Sequence, residues 1–155
     1  MIQRIQTIYL SLITILSLLL YRGGFMAFKD GMGSVYTVTF NGLAKGTDMA
    51  NIDLIQKLPV ISGLIVLLVV ISILTMFLFK KRNIQLTLSK ILIAIAVVFV
   101  LTCSYYAYSV ISEYTARMLL VIKTVIPVLI LIFSFLAYRG IKKDDDLVKS
   151  YDRLR

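Results

Sequence analysis

The segment from Leu58 to Phe79 constrains the fold of this chain more than any other. It holds no charged residue over 22 positions, and an α-helix needs about 20 apolar residues to cross the hydrocarbon of a bilayer. Lys80, Lys81 and Arg82 follow at once, and loops rich in Lys and Arg remain on the cytoplasmic side. The sequence therefore predicts a membrane span whose C-terminal end faces the cytoplasm.

Composition agrees with a membrane protein and excludes several functions. Apolar residues make up 59% of the chain, whereas roughly 45–50% is usual in soluble domains. The formal charge of +9 comes from cations in the segments that flank apolar runs, which the orientation rule explains. We therefore expect the lipid bilayer as the environment of the chain and no nucleic-acid partner.

Three further apolar segments, 5–21, 91–111 and 118–138, predict spans as well. A signal peptide is the alternative for the first, but no small-x-small cleavage site follows Tyr21, so we interpret it as a retained span. Four crossings place both ends, and the tail 139–155, in the cytoplasm. Eleven Lys and Arg then lie inside and five lie outside, which is the expected bias.

Residues 22–57 differ in character from the spans around them. Val35–Phe40 is rich in strand-forming residues and ends at Asn41-Gly42, a favoured two-residue hairpin turn. A second turn is predicted at Asp30–Gly33. The predicted fold is an all-α membrane protein with four transmembrane helices, a small extracytoplasmic β-meander between the first two, and a cytoplasmic helical tail. The meander is interpreted as a lid over the helix ends or as a binding site.

The residue inventory limits the chemistry that the chain can perform. It has no histidine and one cysteine, Cys103, which excludes Cys-x-x-Cys redox pairs and histidine ligands to haem or zinc. The acids before the tail follow no recognisable catalytic spacing; they are Asp30, Asp48, Asp53 and Glu113. We therefore predict no catalytic, cofactor or metal site and favour a non-catalytic protein.

Lys123 is the one ionisable residue placed well inside a predicted span. Such a residue suggests a functional site, with Glu113 or the tyrosines Tyr105 and Tyr106 as partners in a ligand or ion-pair site. It follows Arg117 by only about 9 Å of helix rise, so its side chain can also reach the membrane surface. Pro127 predicts a kink in the same helix.

Two polar or amphipathic stripes offer contact surfaces. In the first span Gln3, Thr7, Ser11, Thr14 and Ser17 share one helical face, which indicates a helix-packing seam or a polar path. In the tail, helical spacing places four apolar residues together as a docking surface or as part of a solvated helix that extends the fourth span; they are Leu147, Val148, Tyr151 and Leu154. Three consecutive acids, Asp144 to Asp146, argue against adsorption to an anionic leaflet.

Both ends of the chain resemble one known family. The similar segments are Met1–Leu10 (MIQRIQTIYL), Ala137–Asp145 (AYRGIKKDD), Leu147–Ser150 (LVKS) and Asp152–Arg155 (DRLR). The family comprises small four-helix inner-membrane proteins of Bacteroidota with a domain of unknown function. The resemblance implies the fold and a membrane location, and it implies no activity.

Two functional hypotheses from different classes follow. The first is an accessory or scaffolding subunit of a complex in the bacterial inner membrane, which docks a membrane or cytoplasmic protein through its helices and tail. The alternative is a protein that binds or transports a small molecule or lipid in an outer-side pocket near Lys123 and the tyrosines of the third span.

Overall fold

Four helices form the body of the molecule, and a five-stranded antiparallel sheet covers one end of it. The computed structural model describes residues 3–31, 33–46, 52–78, 82–119 and 121–153. The helices are α1 (Gln3–Leu19), α2 (Pro59–Phe77), α3 (Arg82–Tyr114) and α4 (Ile126–Arg153). The strands are β1 (Met26–Lys29), β2 (Val35–Val38), β3 (Gly42–Gly46), β4 (Ile52–Lys57) and β5 (Arg117–Leu119).

The helices form a closed ring in which each packs on two neighbours. α1 and α3 both lie between α2 and α4. Successive helices are antiparallel, as in up-and-down bundles, because α1 and α3 end at the strands, where α2 and α4 begin. We call the end that carries the strands the sheet end. The opposite end, where α4 ends and α2 gives way to α3, is the tail end.

The distribution of side chains is that of a membrane protein. Three helical segments are long and apolar enough to span a membrane, and α1 adds a shorter apolar helix, Ile5–Leu19. Large apolar side chains such as Ile15, Val66 and Leu101 point outward, while Ser17 and Ser134 are fully buried. Small polar residues between helices with aliphatic residues outside are typical of helix packing in lipid.

The third helix is longer than the predicted span 91–111. It has 33 residues, or about 50 Å at the usual rise, and begins at Arg82. The polar segment before Ile91 contains no Gly or Pro, so the helix continues beyond the apolar part. Gln85 is buried there, and its Nε2 donates to the carbonyl of Thr75 at 3.3 Å, which holds α3 against the end of α2.

The fourth helix begins eight residues later than the predicted span 118–138. Arg117–Leu119 forms β5, in which Met118 pairs with Phe28 of β1, and a 3₁₀ turn over Ile122–Val125 follows. The connection between α3 and α4 therefore contains a strand. Pro127 lies in the first turn of α4, where its missing N–H costs no helical bond, so the predicted kink is absent. The tail continues α4 to Arg153.

The sheet has more strands than a meander within 22–57 provides. Its order is β4-β3-β2-β1-β5, so the α3–α4 connection completes it. The β2–β3 hairpin is displaced by one residue from the prediction, because Thr39 and Gly42 form the closing pair, with N···O distances of 2.8 and 3.3 Å. Phe40 and Asn41 are therefore the two loop residues.

The packing face of α1 differs from the predicted polar stripe. Among the side chains of α1 that are described, Gln6, Leu10, Ile13 and Ser17 are buried, whereas Thr7, Ser11 and Thr14 of the predicted stripe are not. The hydroxyl of Thr14 nevertheless lies 2.8 Å from that of Ser72 in α2, which fits a packing seam. The prediction followed polarity alone, whereas the buried face contains polar and apolar residues together, and Ile5, Ile8 and Ile15 are exposed.

Candidate binding pocket at the sheet end

A pocket of about 360 Å³ lies between the sheet and the last turns of α3. The strands and the start of α2 supply a mostly apolar wall, and α3 supplies tyrosines, Ser109 and a carboxylate. Its volume falls within the range usual for small-molecule sites. The lining residues are Val38, Leu43, Gln56, Leu58, Tyr105, Tyr106, Ser109, Val110 and Glu113.

Helical spacing explains the polar wall. Tyr105, Ser109 and Glu113 are four residues apart and therefore follow one another along one face of α3. The same three line a second groove of about 250 Å³ together with Tyr108 and Ser112. The Tyr105 and Tyr106 rings meet edge to face, with centroids 5.6 Å apart. The pocket therefore joins an apolar wall to a line of hydroxyl groups that ends in one carboxylate.

Aromatic contacts hold the sheet on the helix ends beside the pocket. The Tyr36 ring of β2 stacks on Tyr114 at the end of α3, with centroids 4.3 Å apart. Tyr21, after α1, contacts Phe40 in the β2–β3 loop at 4.8 Å. Offset pairs of this kind add roughly 0.5–1.5 kcal/mol beyond the burial of area. The strands that line the pocket are thus fixed relative to α3.

Lys123 has a different position from the other three candidate residues. It lies in the 3₁₀ turn before α4, and its Nζ donates to the carbonyl of Arg22 at 2.6 Å. The next residue, Thr124, donates from Oγ1 to the carbonyl of Phe25 at 3.0 Å. Both bonds join the α3–α4 connection to the segment after α1, which is a structural role for the ammonium group. Glu113 and the tyrosines line the pocket instead.

One family of proteins matches this chain from residue 2 to residue 154. The chain belongs to DUF4293, a domain of unknown function. The match includes the terminal segments that carry the resemblance noted from the sequence, except for Met1 and Arg155. No curated protein and no solved structure matches the chain.

In this DUF4293 chain, the described acidic residues that precede the tail are dispersed over the sheet end. Glu113 lines the pocket, whereas Asp53 lies on β4 opposite Lys45 of β3 and Asp30 caps the β1–β2 turn through the amide of Gly31 at 2.5 Å. Asp48 lies outside the described residues. Among the residues that are described, no three Asp, Glu or Cys side chains come together in a way that could hold a metal ion.

The predicted docking stripe lies at the far end of the DUF4293 bundle from the pocket. Leu147 is partly exposed on α4. The side chains of Val148 and Tyr151 lie outside the described part, as does Leu154. Leu147, Val148 and Tyr151 therefore belong to the helical extension of α4, and the surface of the stripe remains a prediction.

Some lining residues of the DUF4293 pocket could not be found from the sequence. Val38, Leu43, Gln56 and Leu58 look like ordinary strand and helix-start residues, and only the sheet topology brings them beside α3. The i, i+4, i+8 spacing of Tyr105, Ser109 and Glu113 was the available signal. This spacing adds Ser109 to the residues that the sequence had already singled out.

Proposed function

We propose that this DUF4293 protein spans the bacterial inner membrane of a Bacteroidota species four times, with both ends in the cytoplasm, and acts as a non-catalytic accessory or scaffolding subunit. The 17 residues of α1 are at the lower limit of about 17 for a span. The helix packs on α2 and α4 and exposes Ile8, Ile15 and Leu18, which supports its crossing with them.

The observation that carries this proposal is the length of α4. Its 28 unbroken residues extend about 42 Å, whereas the hydrocarbon is about 30 Å thick. The last turns therefore stand beyond the apolar layer as a rigid helix, and they carry the predicted stripe that begins at Leu147. An ordered helix binds a partner at a lower entropic cost than a disordered tail.

A fluorescent-protein fusion to Arg155 tests both the side and the partner. This reporter fluoresces only when it folds in the cytoplasm, so we expect a bright fusion. When the fusion protein is purified in mild detergent through its fluorescent protein, it should retain one partner protein in stoichiometric amount. Serine at Leu147, Val148, Tyr151 and Leu154 together should reduce the retained partner by at least about tenfold, since buried apolar anchors dominate most interfaces.

The matched control replaces Lys149, Asp152 and Arg153 by serine, which changes the same turns away from the stripe. It should leave the partner bound. A dark fusion would contradict the orientation, and a chain that purifies alone, or loses its partner equally in both variants, would contradict docking through the stripe. Substitution is preferable to deleting the tail from Asp144, because Asp144 accepts a hydrogen bond from Gln6 of α1.

The convergence of three candidate residues on the sheet-end pocket favours a second function, the binding of a small amphipathic molecule. A pocket lined by a carboxylate and two tyrosine rings suits an ammonium group, which both kinds of group attract. The apolar wall formed by Val38, Leu43 and Leu58 suits the hydrocarbon part of the same molecule. The ethanolamine headgroup of a phospholipid has this chemistry.

Substitutions at Tyr106 and Glu113 test that second function. The double variant Tyr106→Ala, Glu113→Gln should bind phosphatidylethanolamine about tenfold more weakly by native mass spectrometry, since a cation–π contact and a charged hydrogen bond are each worth about 1 kcal/mol or more. Tyr108→Ala is the control, because Tyr108 lies on the same helix but outside the main pocket. Equal binding by all three chains would exclude this ligand from the pocket.

A further inference from the structure

The outward face of α4 changes from apolar to cationic near the tail end. Val128, Ile132 and Phe135 each expose about half of their surface on this face. Arg139, one turn after Phe135, and Lys142 and Lys143, one turn further, are also exposed. In a membrane bundle such a transition marks the depth at which hydrocarbon gives way to headgroups.

Helix geometry directs most of the neighbouring acids away from this face. Asp144 accepts a hydrogen bond from Nε2 of Gln6 in α1, and Asp145 is buried with only 7% of its surface exposed. Asp146 alone of the three lines the groove that the cations form. Two of the three acids therefore lie away from the cations, and the acid run does not prevent contact of this face with an anionic leaflet.

The cations line an open groove of about 680 Å³ with apolar residues at both ends. Phe135 and Tyr138 form the end toward the apolar layer, and Leu147 forms the other. Arg139 and Lys143 are one turn apart, about 6 Å along the axis, so a single phosphate can contact both. Arg binds phosphate through two parallel N–H groups, and Lys adds a point charge.

We propose that the groove formed by Arg139, Lys142 and Lys143 binds the headgroup of an anionic phospholipid, whose acyl chains lie along Phe135, Ile132 and Val128. Three cations against one carboxylate favour an anionic over a zwitterionic headgroup, and the continuous apolar face favours a lipid over a soluble phosphate. The proposal depends on the membrane location of the chain alone. It is independent of a docking partner and of which side the tail end faces.

Native mass spectrometry of the full chain with added phosphatidylglycerol or phosphatidylcholine tests the site. The wild-type chain should retain phosphatidylglycerol in preference. In the variant Arg139→Gln, Lys142→Gln, Lys143→Gln this preference should fall at least about tenfold, since each cation near an anionic headgroup contributes about 1 kcal/mol. Inorganic phosphate in excess should not displace the lipid.

A charge-matched control exists at the other end of the bundle. Arg22→Gln, Lys29→Gln, Lys57→Gln removes one Arg and two Lys from exposed positions of the sheet end and should leave the preference unchanged. Asp146→Asn removes the carboxylate of the groove and should raise the preference for phosphatidylglycerol several-fold. This variant tests the site independently of whether the triple variant folds. An unchanged preference in the folded triple variant, an equal loss in the control, or no gain in Asp146→Asn would overturn the proposal.

Discussion

Replacing Gly42 by alanine should destabilise the sheet end by about 3 kcal/mol, at the upper end of what single substitutions cost. A Cβ at this position would lie 2.0 Å from the carbonyl oxygen of Gln56 on β4, and the residue has a φ of 151°. Neither β3 nor β4 can move apart without breaking their pairing, in which Gly42 lies opposite Lys57. The detergent concentration needed for unfolding by sodium dodecyl sulfate, followed by circular dichroism, measures the change.

Two other glycines distinguish the cost of the steric contact from the cost of the backbone angle. Gly33 has a φ of 87° and open space around it, so Gly33→Ala should cost only the left-handed penalty of about 1–2 kcal/mol. Gly31 also has open space, and its φ is not in the left-handed region, so Gly31→Ala should be nearly neutral. If Gly42→Ala destabilised the protein no more than Gly33→Ala, the close approach of β4 would not be the cause of the destabilisation.

The second helix can be predicted clearly from the sequence, because two independent physical signals agree. No polar residue larger than Ser or Thr interrupts 58–79, and Pro59 fits the first turn, so hydropathy and helix-start signals agree with α2. Strand β2 is equally clear, because Val35–Val38 is dense in residues that favour strands. Where local preference and burial coincide, sequence reasoning reaches the structure.

The segment after Arg117 shows where such reasoning fails. Met118 to Ile122 is as apolar as the spans, and short apolar runs do not distinguish a helix from a strand. The conformation of this segment depends on β1, whose edge pairs with β5, and on the hydrogen bonds from Lys123 and Thr124. The same long-range pairing builds the pocket, so the sequence could nominate Tyr105, Tyr106 and Glu113 but not their opposite wall.

The tail shows a similar limit for charge patterns. Lys142 to Asp146 is a run of two cations and three acids that a sequence average treats as nearly neutral. The helix separates them by face, since Asp145 follows Ile141 on the buried side and Lys143 follows Arg139 on the exposed side. A bilayer or partner meets one face only, so the relevant charge is that of the face.

Gly140→Leu should destabilise the whole bundle by about 2 kcal/mol, as overpacking of a close contact usually does. Gly140 of α4 lies against Gln6 of α1, and a Cβ there would lie 2.9 Å from Cγ of Gln6. Gln6 cannot turn away freely, because its Nε2 donates to Asp144 one turn further along α4. A larger side chain must therefore separate the helices or break that hydrogen bond.

Gly63→Leu supplies the matched control, because Gly63 also lies within a helix but has open space around it. At this position leucine should stabilise the helix slightly, since glycine is a poor helix former. Unfolding by sodium dodecyl sulfate compares the two variants, and Gln6→Ala gives the decisive third measurement. Shortening Gln6 makes room for the leucine, so Gln6→Ala with Gly140→Leu should be more stable than the sum of the two single effects predicts. Simple additivity would show that the cost of Gly140→Leu arises somewhere other than at the contact between α1 and α4.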